Sequence, residues 1–284
     1  MMTTATTTTT TTTTAVFEES PNVLSQLSLR GKVAIVTGGA RGLGYEMMLA
    51  LAEAGADVAC IDLLAEIGAE SINHIEKTCK VKGSSWGCDV TNDEEVAMVF
   101  DQIVQHHGGL DILVTAAGIN QVCPAVDYTA KDFRKIFDVN VSGTFFCMQQ
   151  AARHMMKTGM GGSIITVASM SSHITNRPQP HAPYNATKAA VLQLTKSTAC
   201  EWAPHNIRVS TISPGYFDTA MNRKILAEQG EEGVKMRKFW EAQTPMGRLG
   251  TPHELKGVVV FLASSASTFV TGAEFLVDGG YTAW

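Results

Sequence analysis

The chain has 284 residues, 45% of them hydrophobic, and a formal charge of −5 at pH 7. That length suits one large α/β domain or two small ones, and an acidic chain without a clustered basic face excludes a nucleic-acid footprint. The longest apolar runs, such as GVVVFLA at 257–263, fall well short of the roughly 20 residues a membrane span needs, so neither nucleic acid nor membrane is expected as a partner.

In chain order, residues 1–27 read as a threonine-rich leader. MMTTATTTTTTTTTAVFEES has no basic or apolar signal region and no arginine, so it is neither a secretory signal nor a transit peptide. It holds too little apolar surface to offset its ordering entropy, and disorder is expected. Residues 28–284 are expected to form one domain. KVAIVTGG, from Lys32, is a short β-branched run ending in glycines, and GYEMMLALAEAGA is a helix that stops at Gly55. Between them lies TGGARGLG, Thr37 to Gly44. Glycines after a strand and before a helix are the context of a dinucleotide phosphate loop, with the helix N-terminus facing the phosphates. Gly38, Arg41, Gly42, Leu43 and Gly44 are therefore candidate cofactor contacts.

DVACIDL is the next strand, and Asp62 ends it, 24 residues after Gly38. A carboxylate there accepts from the adenosine ribose hydroxyls and repels a 2′-phosphate, which predicts NAD over NADP. Arg41 points the other way, because a guanidinium pairs with such a phosphate; Asp62 is favoured because it sits where the ribose should be. A further strand, SSWGCDV, places Asp89 and Val90 toward the adenine ring. A polar helix follows at 93–107. LDILVTAAG then brings Ala117 and Gly118 past the adenosine side. A long helical stretch spans about 127–157, GGSIITVAS is a strand, and a helix opens near Tyr184. IRVSTISPG, a mixed segment at 216–250, a helix from about Pro252 and a strand near EFLVDGG complete the chain.

Seven near-continuous apolar strands alternating with helices predict an α/β fold: a single doubly wound domain with a seven-stranded parallel sheet and helices on both faces. Six cysteines, scattered at 60, 79, 88, 123, 147 and 200, show no metal spacing. They imply a reducing, cytoplasmic setting and no metal site.

Tyr184 and Lys188 lie one helical turn apart on one face. That pair is either a solvated surface or an acid/base device in which a cation acts on a phenol.

TGGARGLG, DVNVSG, SIITVASMS, YNATK and ISPGYFDT, in this order and spacing, resemble the short-chain dehydrogenase/reductase family over about residues 28–284. The resemblance implies a Rossmann-like NAD(P)-dependent oxidoreductase, homotetrameric or homodimeric. It implies Tyr184 as general acid/base and Lys188 tuning it and binding the nicotinamide ribose. Ser169 would hold the substrate oxygen, with Ser171 as the alternative register, and Asn140 would hold a relay water. Pro214 and Gly215 would shape the turn under the nicotinamide, Ile212 and Thr219 would bind its carboxamide, and 216–250 would be a mobile lid. Where the family often has NNAG, this chain has Thr115-Ala116-Ala117-Gly118, so local packing there is expected to differ.

SMSSHITNRPQPHAPYNATKA, ACEWAPHNIRVSTISPGY and DGGYTAW are further similar to the family's fungal polyol dehydrogenases, a group of arabinitol and mannitol 2-dehydrogenases and sorbose reductases. The polar loop before Tyr184 (His173, Asn176, Arg177, Gln179, His181) either suits a polyhydroxy substrate or is plain surface. The expected reaction interconverts a polyol and a ketose. The alternatives are a carbonyl reductase on acyl or aromatic ketones and a non-catalytic NAD-sensing scaffold.

Overall fold

The computed structural model describes residues 21–284, without the side chains of Met221 and Ile225. The strands are β1 Val33–Thr37, β2 Asp57–Asp62, β3 Gly83–Gly87, β4 Ile112–Thr115, β5 Gly162–Val167, β6 Ile207–Pro214 and β7 Glu274–Val277. The helices are α1 Val23–Gln26, α2 Gly42–Glu53, α3 Ala65–Cys79, α4 Asp93–His107, α5 Ala130–Phe137, α6 Thr144–Thr158, α7 Ala182–Trp202, α8 Ala220–Glu228, α9 Glu231–Gln243 and α10 Lys256–Ala263.

The seven strands form one sheet in the order β3-β2-β1-β4-β5-β6-β7, and every pairing is parallel. Alternate side chains of each strand point to opposite faces. Ala34 and Val36 of β1 meet Met47 and Leu51 of α2 and Val259 and Leu262 of α10 on one face. Ile35 meets Phe100 of α4, Met148 of α6 and Trp202 of α7 on the other. Both faces are thus covered, which is why the strands carry apolar residues in runs rather than in alternation. The strand order reverses between β1 and β4. A parallel sheet opens a crevice at that point, beyond the carboxyl ends of the strands.

Three expectations need correction. The leader was read to residue 27, but Val23–Gln26 form a helical turn capped by the Asn22 side chain, and Ser265 Oγ donates to Gln26 O (3.0 Å). The rest of the predicted disorder, residues 1–20, lies outside the described residues. The stretch 127–157 is not one helix: α5 and α6 flank a π-helical segment, Asp138–Gly143. There Gly143 lies so close to α4's approach that an added Cβ would sit 2.7 Å from Val90 Cγ2. The segment 216–250, read only as a mixed lid, has regular structure of its own. It folds as α8 and α9 around its own buried cluster of Leu226, Trp240 and Leu249, and Arg237 pairs with Asp218 and Glu241.

Candidate active site

β5 runs apolar to Val167, and the chain then turns into a 3-10 turn at Met170–Ser172 whose N-cap is Ser169. Ser169 Oγ accepts from Ser171 N (3.1 Å) and donates to Ser171 Oγ (3.0 Å). It also lies close enough to the Tyr184 hydroxyl to lower the phenol's pKa. Ser169 therefore faces Tyr184, and Ser171 stands behind it as its support.

Tyr184 occupies the first turn of α7, which Pro183 helps to start. Lys188, one turn on, is 7% exposed. Its ammonium lies 5.7 Å from the Tyr184 ring centroid and donates to Val167 O at 2.8 Å, tying the helix to the end of β5. Burial pushes the Lys188 pKa down to about 8. Burial also raises the Tyr184 phenol, opposed by the neighbouring Ser169 hydroxyl. With Lys188 in place, desolvation still wins in the chain by itself.

Asn140 sits in the π-helical segment, where its amide turns inward. Oδ1 accepts from Ile119 N (2.8 Å), and Nδ2 donates to Ile119 O (2.9 Å) and Thr187 Oγ1 (3.0 Å). Both amide hydrogens are spent. The amide fixes the loop after β4 against α7. A Cβ on Gly118 would lie 3.3 Å from Asn140 Oδ1 and 3.6 Å from Lys188 Nζ, so the loop passes close to both side chains.

The phosphate loop meets the loop after β4 directly. Gly38 has φ +66°, and a Cβ there would be 2.7 Å from Ala117 Cα and N. A Cβ on Gly44 would be 2.2 Å from Gly38 O, so the first turn of α2 presses on the loop. The α2 N-cap, Arg41, offers no side-chain cap, which leaves the N–H groups of Gly42, Leu43 and Gly44 aimed outward for an anion. Asp62 closes the far wall: Oδ2 accepts from Ala40 N (3.1 Å) and Oδ1 from Leu64 N (3.0 Å). Arg41 is exposed and makes no side-chain hydrogen bond or ion pair among the described residues. These walls fit a dinucleotide.

Other predicted contacts are placed differently. Asp89 spends Oδ1 on Thr91 N (3.0 Å) and Thr91 Oγ1 (2.8 Å). Val90 is a core residue, not an exposed adenine contact. The Ile212 side chain is fully buried in β6, which leaves only its backbone for a carboxamide. Thr219 Oγ1 caps α8 through Asn222 N (3.1 Å). Pro214 ends β6 and Gly215 N donates to Val277 O (2.9 Å), locking the turn to β7. Thr115 is buried and its hydroxyl has no partner among the described residues, while Thr37 Oγ1 accepts from Ala117 N (3.3 Å) instead.

One cluster escaped the sequence reading. The Tyr216 hydroxyl accepts from Gln179 Nε2 (2.7 Å) and Asn176 Nδ2 (3.1 Å). Its ring stacks on Trp240 at 4.3 Å and 9°, with Tyr281 edge-on at 5.4 Å. The polar loop is therefore not plain surface: its Asn176, Gln179 and His181 are buried, joined to α9 and the carboxyl end. No spacing links residues 176, 179, 216, 240 and 281, so nothing in the sequence marks them as neighbours.

Burial holds His181 and His107 down to about 4. An unfolded histidine titrates near 6.5, so between about pH 4 and 6.5 the unfolded chain binds more protons and stability rises with pH. Urea midpoints should fall as pH drops through that window, and a flat profile would contradict these two burials.

A switch-point crevice with a glycine cradle, and a tyrosine–lysine pair opening onto the same edge of the sheet, describe a dinucleotide-dependent oxidoreductase. The family model described as enoyl-(acyl carrier protein) reductase matches residues 38–282. D-arabinitol 2-dehydrogenase (ribulose-forming) of Candida tropicalis is 39% identical, over 93% of this chain and 96% of that protein. A probable NADP-dependent mannitol dehydrogenase of Yarrowia lipolytica is 40% identical, over 92% and 91%. The crystal structure of a short-chain type dehydrogenase/reductase from Mycobacterium marinum superposes with a TM-score of 0.84 at 41% identity, covering 92% of this chain and 99% of that one. The chain belongs to the short-chain dehydrogenase/reductase family. Its class is that of NAD(P)-dependent alcohol dehydrogenases and ketoreductases.

Proposed function

We propose that this protein interconverts a secondary alcohol of a polyol and the matching ketose, with Tyr184 as general acid/base. Ser169 and a buried lysine, both beside the Tyr184 phenol, carry this reading. The polyol part is supported by the relatives' named substrates and by the polar, buried loop before Tyr184.

When bound, the dinucleotide accepts or supplies the hydride. Ser169 and Tyr184 hold the substrate oxygen, and Tyr184 takes its proton as the carbonyl forms. A free phenol titrates near 10 and burial raises this one even beside Lys188, so the positive ring of a bound oxidised dinucleotide would have to help lower it. With its pKa held at about 8, Lys188 is charged at neutral pH and adds its own charge one turn away. The first-turn N–H groups of α2 take the pyrophosphate. Asn140 acts indirectly, by holding Ile119.

Asp62 supports NAD as the cofactor. Its carboxylate is held toward the loop by Ala40 N, where a 2′-phosphate would meet negative charge. The NADP-dependent relative keeps the opposite preference in play, with exposed Arg41 as its candidate partner. The Asp62→Ser variant should shift kcat/KM toward NADP by about tenfold or more, the scale of one removed charge contact. A wild type that already prefers NADP would overturn this assignment.

Among the described residues no helix is long and apolar enough to cross a membrane. Six free cysteines support a cytoplasmic setting. Exposed apolar groups on the β7 side (Leu276, Phe269 and Trp284) support a homodimer or homotetramer. Reduced-nicotinamide absorbance in a panel of polyols and ketoses with each dinucleotide tests the whole reading. Turnover of bulky apolar ketones alone would replace polyols with the carbonyl-reductase alternative.

A further inference from the structure

The buried polar atoms that lack a partner are not scattered evenly. Of eight such atoms, four belong to Ser172, Asn176, His181 and Asn185, in the short segment that carries Tyr184. Buried polar atoms in folded proteins are nearly always bonded, so a group of exceptions beside a reacting side chain calls for a ligand that completes them.

His181 is the most informative of the four. It is 5% exposed, and its ring centroid lies 5.3 Å from that of Tyr184. Asn120 Nδ2 lies 3.3 Å from Nδ1. An amide N–H only donates, so Nδ1 accepts and the proton of the neutral ring sits on Nε2. Nε2–H finds no acceptor among the described residues. The tautomer is backed from behind: Asn120 follows Ile119, whose N–H and C=O are both held by the Asn140 amide. The ring's low pKa, about 4, keeps it a neutral donor at ordinary pH.

We propose that His181 is a substrate-binding residue that sets specificity, donating Nε2–H to a second hydroxyl of the substrate beyond the carbinol held by Tyr184 and Ser169. This rests on the polyol reading, and it deepens it: the site selects a substrate with a further hydroxyl within reach of the reacting carbon. A simple secondary alcohol leaves the donor unpaired, and a site built to bond a hydroxyl discriminates strongly against an analogue that lacks it.

The test compares a polyol with a secondary alcohol that has no other hydroxyl, in the full-length wild type and in His181→Phe and His181→Gln. Phenylalanine keeps the ring packing and removes the donor; glutamine restores an N–H. For the polyol, His181→Phe should lower kcat/KM by about tenfold or more, mostly through KM, and His181→Gln should recover part of it. The simple alcohol and the dinucleotide KM should change little in either variant. Equal losses on both alcohols, or no loss on the polyol, would overturn the proposal by making His181 merely structural. A wild type inert toward polyols and ketoses would overturn the substrate reading itself and this proposal with it. If His181→Phe does not fold, isotope-labelled histidine in the wild type reads the same contact. The Nε2–H resonance should shift when polyol joins the dinucleotide complex, and a stationary resonance would count against the contact.

Discussion

The Tyr184→Phe variant is expected to bind dinucleotide normally and to lose turnover by roughly 10²- to 10⁴-fold, the range of one general acid/base. The change deletes a single oxygen. The ring remains to pack against His181 at 5.3 Å and beneath the Lys188 ammonium at 5.7 Å, so the crevice keeps its shape. What disappears is the acceptor for the substrate proton and the partner of Ser169. Dinucleotide affinity by fluorescence titration, set beside kcat, separates the two effects. Activity within a few-fold of wild type would remove Tyr184 from the chemistry.

Lys188→Met should be the second large loss, about 10²-fold or more in kcat at neutral pH. Methionine matches the lysine stem in length and fills the buried channel without the charge. The phenol then keeps the full upward push of burial, so the acid arm of the kcat/KM profile for alcohol oxidation should move to higher pH. Stability offers an independent check. Lysine held at about 8 lies below its ordinary 10.5, so between these values the unfolded chain binds more protons and wild-type stability rises with pH. The penalty of burying the ammonium is complete below pH 8 and fades above it. The methionine variant should lack that rise, although it leaves Val167 O without its donor at a cost of about 1–3 kcal/mol. A variant with unchanged kcat, or one that keeps the rise, would contradict this account.

Much of the fold was legible because burial writes itself into sequence. A strand covered on both faces must be apolar throughout, and β1, β4 and the middle of β2 are. α4 begins at the Asn92 cap and ends at left-handed Gly108, and its predicted span 93–107 agrees with the observed one. The glycine cradle was legible too, because only an absent Cβ permits Gly38 and Gly44 to lie against their neighbouring backbone. The π-helical segment was not, since its cause is a tertiary bond from Asn140 to a loop 21 residues earlier.

Some candidate contacts have a second, local use that the sequence did not show. Asp89 and Thr219 stand at strand and loop ends suited to a ligand, and each also serves a local turn or cap. Val90 and Ile212 lie beside the crevice in sequence and face the core in space.

By itself the sequence determined the layered parallel sheet, the phosphate loop and the Tyr184–Lys188 pair, because each depends on residues close together in the chain or on a periodic pattern of burial. Only the tertiary structure decided that Ser169 lies beside the phenol, that burial raises the phenol in the chain alone, and that His181 packs against Tyr184 while Tyr216 meets Asn176 and Gln179. Those outcomes depend on which distant backbone approaches which side chain, and on how much water that approach removes. Neither quantity has a local signature.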